Sequence, residues 1–181
     1  VAATRATEVR VHSRSAEKRE AFAATMAAAT GVNVRPVDSI DGALDGVSVA
    51  ITITNSAEPV LGAEHLRPGL TIIAAGNNTW LRSEIDPVVV ARADVVVVDD
   101  IDNAKLESGE LMRAAETGLF SWDLAVPLHD VIAGVRPGRT SPEQIVLVEL
   151  QGVAFEDVAV AERAYRLAVK RGVGTELPNG P

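Results

Sequence analysis

Runs of apolar, largely β-branched residues recur along this chain, and stretches of helical character separate them. Residues 8–13, Glu-Val-Arg-Val-His-Ser, alternate as a strand does. Residues 16–30 are long, alanine-rich and charged on one face, which predicts a helix, and Gly31 predicts its end. A second strand is expected over 32–37. Ser39 is placed to cap a short helix that runs to Leu44. Residues 47–54 and 70–75 are further strand-like runs, and 94–99, with four consecutive valines, is the strongest of all. Such continuous runs suit parallel strands covered on both faces. Helices are predicted over 87–92 and 104–117, a strand over 144–150, and a long closing helix over 153–170 that ends near Gly172 and Gly174. No internal repeat or linker divides the chain.

Strands alternating with helices imply right-handed crossovers and a doubly wound, three-layer α/β sheet of Rossmann type. In such sheets ligands bind beyond the carboxyl ends of the strands. The candidate chemistry therefore lies just after each strand. The first strand is followed by His12-Ser13-Arg14-Ser15. An arginine between two serines suits a ribose phosphate, but by itself a solvated turn with Ser15 as helix cap is the commoner use of such residues. Thr52 and Thr54 end the strand at 47–54, where hydroxyls and amides can line a ligand or simply form a polar turn. After 70–75 come Gly76, which admits close approach to the backbone, the uncharged amides Asn77 and Asn78, and Arg82, which can reach a phosphate or pair with Glu84. Asp99 and Asp100 can act as an acid–base or metal pair, but helix N-terminal acids are the commoner use of such residues.

Composition narrows the classes. Apolar residues are 47% of the 181 and aromatic residues 3%, so the core is built from small aliphatic side chains. A net charge of −8 with no basic run argues against nucleic acid and against an anionic membrane surface. There is no cysteine, and the three histidines are too widely spaced for a metal pattern. No apolar stretch reaches the length of a membrane span and no signal-peptide pattern opens the chain, so a cytoplasmic setting is expected.

The order of segments resembles the ornithine cyclodeaminase and mu-crystallin family. The matching stretches are VRVHSRS at 9–15, TITNSAEPVL at 52–61, LRPG at 66–69, 75–77 with 82–86, VVDD at 97–100, ESGEL at 107–111, PGRTSP at 137–142 and GVAFEDVA at 152–159. The resemblance implies a domain holding NADP(H), with NAD(H) as the alternative. It places the adenosine end against Ser13, Arg14 and Ser15, a further contact at Thr54, the nicotinamide end near Ala75, Gly76, Asn77 and Asn78, and a basic contact at Arg82. It also implies that the family's first strand and glycine-rich turn are missing from the start of residues 1–181, and that the N-terminal substrate and dimerisation domain is absent. In the usual order the strands at 9–13 and 47–54 then flank the position of the absent strand. The chain alone is expected to be marginal, to pair those two strands directly, or to recruit a strand from another chain.

Two departures bear on activity. Asn78 stands where cyclodeaminases carry an aspartate, and an amide cannot do its acid–base work. Leu150, in Glu149-Leu150-Gln151-Gly152, stands where the family commonly has a serine beside the nicotinamide. The full-length protein is thus expected to be an imine or ketimine reductase or an amino-acid-dehydrogenase-like oxidoreductase. It would be a homodimer acting on a small amino or imino acid. A true ornithine cyclodeaminase and a non-catalytic, truncated nucleotide-binding protein are the alternatives. The catalytic residues and the substrate are not readable from this chain.

Overall fold

The computed structural model describes residues 6–175 and 177. Seven short strands carry the fold: β1 (Glu8–Val11), β2 (Asn33–Pro36), β3 (Val49–Thr52), β4 (Thr71–Ala74), β5 (Val95–Val98), β6 (Ala125–Pro127) and β7 (Val146–Glu149). The helices between and after them are α1 (Ala16–Thr30), α2 (Ile40–Leu44), α3 (Pro87–Arg92), α4 (Ile101–Glu107), α5 (Gly109–Glu116), α6 (Leu128–Ile132) and α7 (Ala154–Arg171). Local rules set the predicted ends. Ser15 caps α1 by accepting from Lys18 N–H, and Gly31 ends it in the left-handed conformation at φ 70°. Ser39 caps α2 through Gly42 N–H.

All pairing is parallel, in two sheets. β1 pairs with β2, and the main sheet runs β3-β4-β7-β5-β6. The last strand therefore inserts between β4 and β5. β1 and β3 are not paired with each other. The β1–β2 unit meets the rest through α2, where Arg10 Nη1 donates to Gly42 O at 3.3 Å and to Asp45 O at 2.5 Å.

One face of the main sheet presents Ala50, Ile72, Ala74, Val96, Val98 and Leu147 to buried residues of α2, α3, α4 and α5. Among the described residues, the buried cluster on the other face lies at β5, β6 and β7, where Val97, Val126 and Val146 pack with Leu128 and Val131 of α6. Coverage on both faces thus holds for β5 and fails for β3, whose Val49 and Ile51, with Ile53 just beyond, remain exposed. The helix expected over 104–117 is broken at Ser108, which ends α4 and caps α5 by accepting from Leu111 N–H. β6 and α6 escaped the sequence because three to five residues give too little periodicity to read. None of the side chains of α7 is buried. Among the described residues, no helix is long and apolar enough to cross a membrane.

Candidate functional site

The carboxyl ends of β3, β4, β5 and β7 lie on one edge of the main sheet, and the loops that leave them are held by buried carboxylates. Glu84 is fully buried. Its Oε1 accepts from Thr54 N–H at 2.5 Å, and its Oε2 from Gly76 N–H at 2.8 Å. A Cβ on Gly76 would lie 2.3 Å from Thr54 N and 2.6 Å from Glu84 Oε1. The glycine is therefore required by the approach of its own chain. Arg82 does not pair with Glu84, as one sequence alternative had it. Its side chain is exposed and makes no ion pair among the described residues, because amides already satisfy the carboxylate.

Asn77 is buried, and its side chain is engaged inside the loop. Nδ2 donates to Arg82 O at 2.8 Å, and Oδ1 accepts from Thr79 N–H at 3.3 Å. Asn78 and Thr54 are exposed, and Ala75 is half-buried with its N–H donating to Thr52 O at 3.0 Å. Asp100 is the N-cap of α4, accepting from Asn103 N–H at 2.8 Å. Asp99 accepts from Asp100 N–H at 2.8 Å and from Gln151 and Gly152 N–H at 2.7 Å each. The pair binds backbone donors, and no group of three or more acidic or histidine side chains among the described residues is arranged to hold a metal ion.

Ser13, Arg14 and Ser15 lie on the turn between β1 and α1. Ser13 Oγ donates to Ser15 O at 3.0 Å, and Ser15 caps the helix. Arg14 is exposed and unpaired among the described residues. The structure thus brings Thr54, Ala75, Gly76, Asn77 and Arg82 together, and no hydrogen bond among the described residues joins them to Ser13–Ser15. Leu150 is half-buried and leaves β7 with its N–H donating to Ala74 O at 2.9 Å.

Three glutamates are buried, and of these the sequence points only to Glu84, as a possible partner of Arg82. Besides Glu84, these are Glu110, whose Oε1 accepts from Glu84 N–H at 2.5 Å, and Glu149, whose Oε2 accepts from Ser108 Oγ at 3.1 Å and Gln151 Nε2 at 3.0 Å. The strand period carried a signal for Glu149, since it shares the face of Leu147 two residues earlier. Glu110 Oε2, Glu149 Oε1, Gln151 Oε1 and Thr52 Oγ1 are buried without a partner among the described residues. Burial holds the Glu149 carboxyl well above the usual carboxylate range, and the nearby charge of Glu110 raises it further, against the hydrogen bonds of Ser108 and Gln151. Glu110 is also raised by burial, opposed first by the Glu84 amide. A proton on Glu149 gives this acceptor-rich cluster a donor.

A pH dependence of stability follows from Glu149. Below the unfolded-state pKa, near 4.3, the carboxyl is protonated in both states. Above it the native state keeps the proton longer, so stability falls as pH rises, by at most about 1.4 kcal/mol per pH unit for one proton, until the native pKa is passed. Glu149→Gln removes that loss. Denaturant melts across the acidic to neutral range should show the variant gaining stability relative to the parent as pH rises. A difference that stays constant with pH would contradict the buried, protonated acid.

Comparison with known proteins then bears on the fold and the site together. The family model described as "Ornithine cyclodeaminase/mu-crystallin family" matches residues 1–171. A Delta(1)-pyrroline-2-carboxylate reductase of Bacillus cereus is 32% identical over 171 residues, covering 94% of this chain and 52% of that protein. The structure of the Thermococcus litoralis Delta(1)-pyrroline-2-carboxylate reductase in complex with NADH and L-proline matches with a TM-score of 0.86 and 27% identity, over 94% of this chain and 53% of that one. An archaeal alanine dehydrogenase dimer with bound NAD matches with a TM-score of 0.81 and 29% identity, over 94% and 52%. The chain spans about half the length of the curated relatives it matches.

Proposed function

Because this chain belongs to the ornithine cyclodeaminase/mu-crystallin family, we propose that it is the nicotinamide-cofactor domain of an oxidoreductase that moves hydride between NAD(P)(H) and the imine of a small amino or imino acid. The observation that carries the reading is the match of 94% of the chain, at a TM-score of 0.86, to a reductase bound to NADH and L-proline. The residues fit an anionic dinucleotide. Two exposed arginines, Arg14 and Arg82, are unpaired among the described residues of a chain whose net charge is −8. In this reading Ser13, Arg14 and Ser15 meet the adenosine end, Thr54 and the 75–78 loop meet the nicotinamide end, and Arg82 gives a basic contact. The cofactor supplies the hydride chemistry, and this domain binds and orients it. Residues outside the chain supply the substrate pocket and the homodimer contact, as the dimeric alanine dehydrogenase relative suggests. With β3 open and Val49, Ile51 and Ile53 exposed, the domain has apolar surface for those parts to cover.

NADPH is the proposed cofactor, resting on Arg14 between two serines with no acidic residue in that turn. A charge-assisted contact to the extra phosphate is worth about tenfold in affinity. The test is a nicotinamide absorbance assay of the full-length protein with Δ1-pyrroline-2-carboxylate, beside titrations with NADPH and NADH. The expected result is turnover, tighter NADPH binding, and loss of about tenfold of that preference in Arg14→Ala. No proline is expected from ornithine, because Asn78 offers an amide where that chemistry needs a carboxylate. Cofactor binding without turnover of any amino or imino acid would select the non-catalytic reading, and ornithine cyclodeamination would overturn the reductase. Equal affinity for NADH, or an Arg14→Ala variant unchanged toward NADPH, would remove the NADP assignment.

A further inference from the structure

The loops after β3 and β4 separate around a single side chain. Past the last paired residues, Thr52 and Ala74, the next ladder donor, Ala75 N–H, still reaches Thr52 O. Thr54 N–H and Gly76 N–H then turn to the two oxygens of Glu84. We infer that Glu84 is a positioning residue for the cofactor, its carboxylate holding these two loops at the separation that receives the nicotinamide end of the dinucleotide. The inference rests on the cofactor reading above.

The side chain is built to be fixed. Glu84 is fully buried and has no ion pair among the described residues, so backbone dipoles alone compensate its two oxygens. Its own backbone is tied on both sides: Glu110 accepts its N–H, and its C=O accepts from Val60 N–H at 2.8 Å and Leu61 N–H at 3.1 Å. The close approach of Gly76 to Thr54 leaves no room for a side chain to take over the spacing. Asp99 does the same work further along the edge, holding the loop after β7 through Gln151 and Gly152 N–H.

The clamp also decides what the loops can offer a ligand. A phosphate asks a loop for backbone N–H donors. Here the N–H groups of Thr54, Ala75 and Gly76 are all taken, so at the clamp itself these positions offer carbonyl oxygens, beside the exposed Thr54 and Asn78 side chains. That set suits a donor such as a carboxamide NH2 and does not suit a pyrophosphate. Glutamine in place of Glu84 keeps the shape but has one acceptor oxygen, and its NH2 would face one of the two amides donor to donor.

The experiment uses the full-length protein, with NADPH and 2′-phospho-ADP-ribose as probes. The second probe keeps the adenosine end and lacks the nicotinamide ring. Glu84→Gln should weaken NADPH binding about tenfold or more, leave 2′-phospho-ADP-ribose binding unchanged, and retain a cooperative melt. Glu84→Asp, which keeps the charge but is too short to reach both loops, should do the same. Equal weakening of both probes would assign Glu84 to general folding and overturn the inference, as would failure of both variants to fold. Unchanged NADPH binding in Glu84→Gln would also overturn it. Absence of NADPH and NADH binding in the parent protein would instead mean that the cofactor reading itself is wrong.

Discussion

Gly109→Ala is expected to destabilise the domain by about 3 kcal/mol, although alanine in a helix is ordinarily favoured over glycine by about 1 kcal/mol. Gly109 is the first residue of α5 and its φ is not in the left-handed region, so conformational freedom is not what the position requires. Space is. A Cβ there would lie 1.9 Å from the carbonyl oxygen of Arg82 and 3.0 Å from that of Trp80. Both are backbone atoms, so the strain cannot be relieved by turning a side chain. Either α5 or the loop at 80–82 must move. Moving α5 displaces Leu111 and Ala114, both fully buried, and pulls Glu110 away from Glu84 N–H. Denaturant melts of parent and variant would check this. A neutral or stabilising result would show that helix and loop part without cost.

Amide exchange in the 181-residue chain is expected to be faster in β1 and β2 than in β4, β5 and β7, by about a hundredfold or more, because local opening ranges from almost nothing at weakly packed edges to the full unfolding free energy in the core. The β1–β2 unit has one four-residue ladder, and the helix between its strands buries only Ala23. No described residue before Ile40 belongs to the main core or packs against it. β4 and β7, by contrast, are each paired on both sides, and Ile72 and Leu147 are fully buried. Hydrogen–deuterium exchange read by mass spectrometry would resolve the two units. Uniform protection would mean that a strand of a second copy joins β1 to β3. That is the arrangement the unpaired edges invite.

Which elements form was largely legible in the sequence, because each depends on neighbours along the chain. Ser15, Ser39, Gly31 and Gly172 mark helix ends through hydrogen bonds and φ values set within a few residues. The valine run of β5 needs burial wherever it lies, and its burial pattern agrees. The break at Ser108 was missed although its cap is local, Ser108 Oγ accepting from Leu111 N–H; what the sequence could not show is that Gly109 lies against Arg82 O, distant in sequence and adjacent in space.

The sequence pointed to the residues after the strands, and the hydrogen bonds they make within the fold were not legible in it. Gly76 reads as an opening for a ligand until Thr54 and Glu84 are seen to fill the space beside it. Asp99 and Asp100 read alike in sequence, yet one binds the loop after β7 and the other caps a helix. Glu84 reads as one possible partner for Arg82 and is instead fully buried, with its oxygens on the amides of Thr54 and Gly76. By itself the sequence determined the alternation of strand and helix, the acidic charge, the absence of cysteine and the family likeness, because these are local or additive properties of the residues. Only the tertiary structure decided that β7 enters the middle of the sheet, that β1 and β3 stay apart, and that three glutamates lie in the interior. Burial and hydrogen bonding there depend on which distant segments meet, and no window of sequence contains both partners.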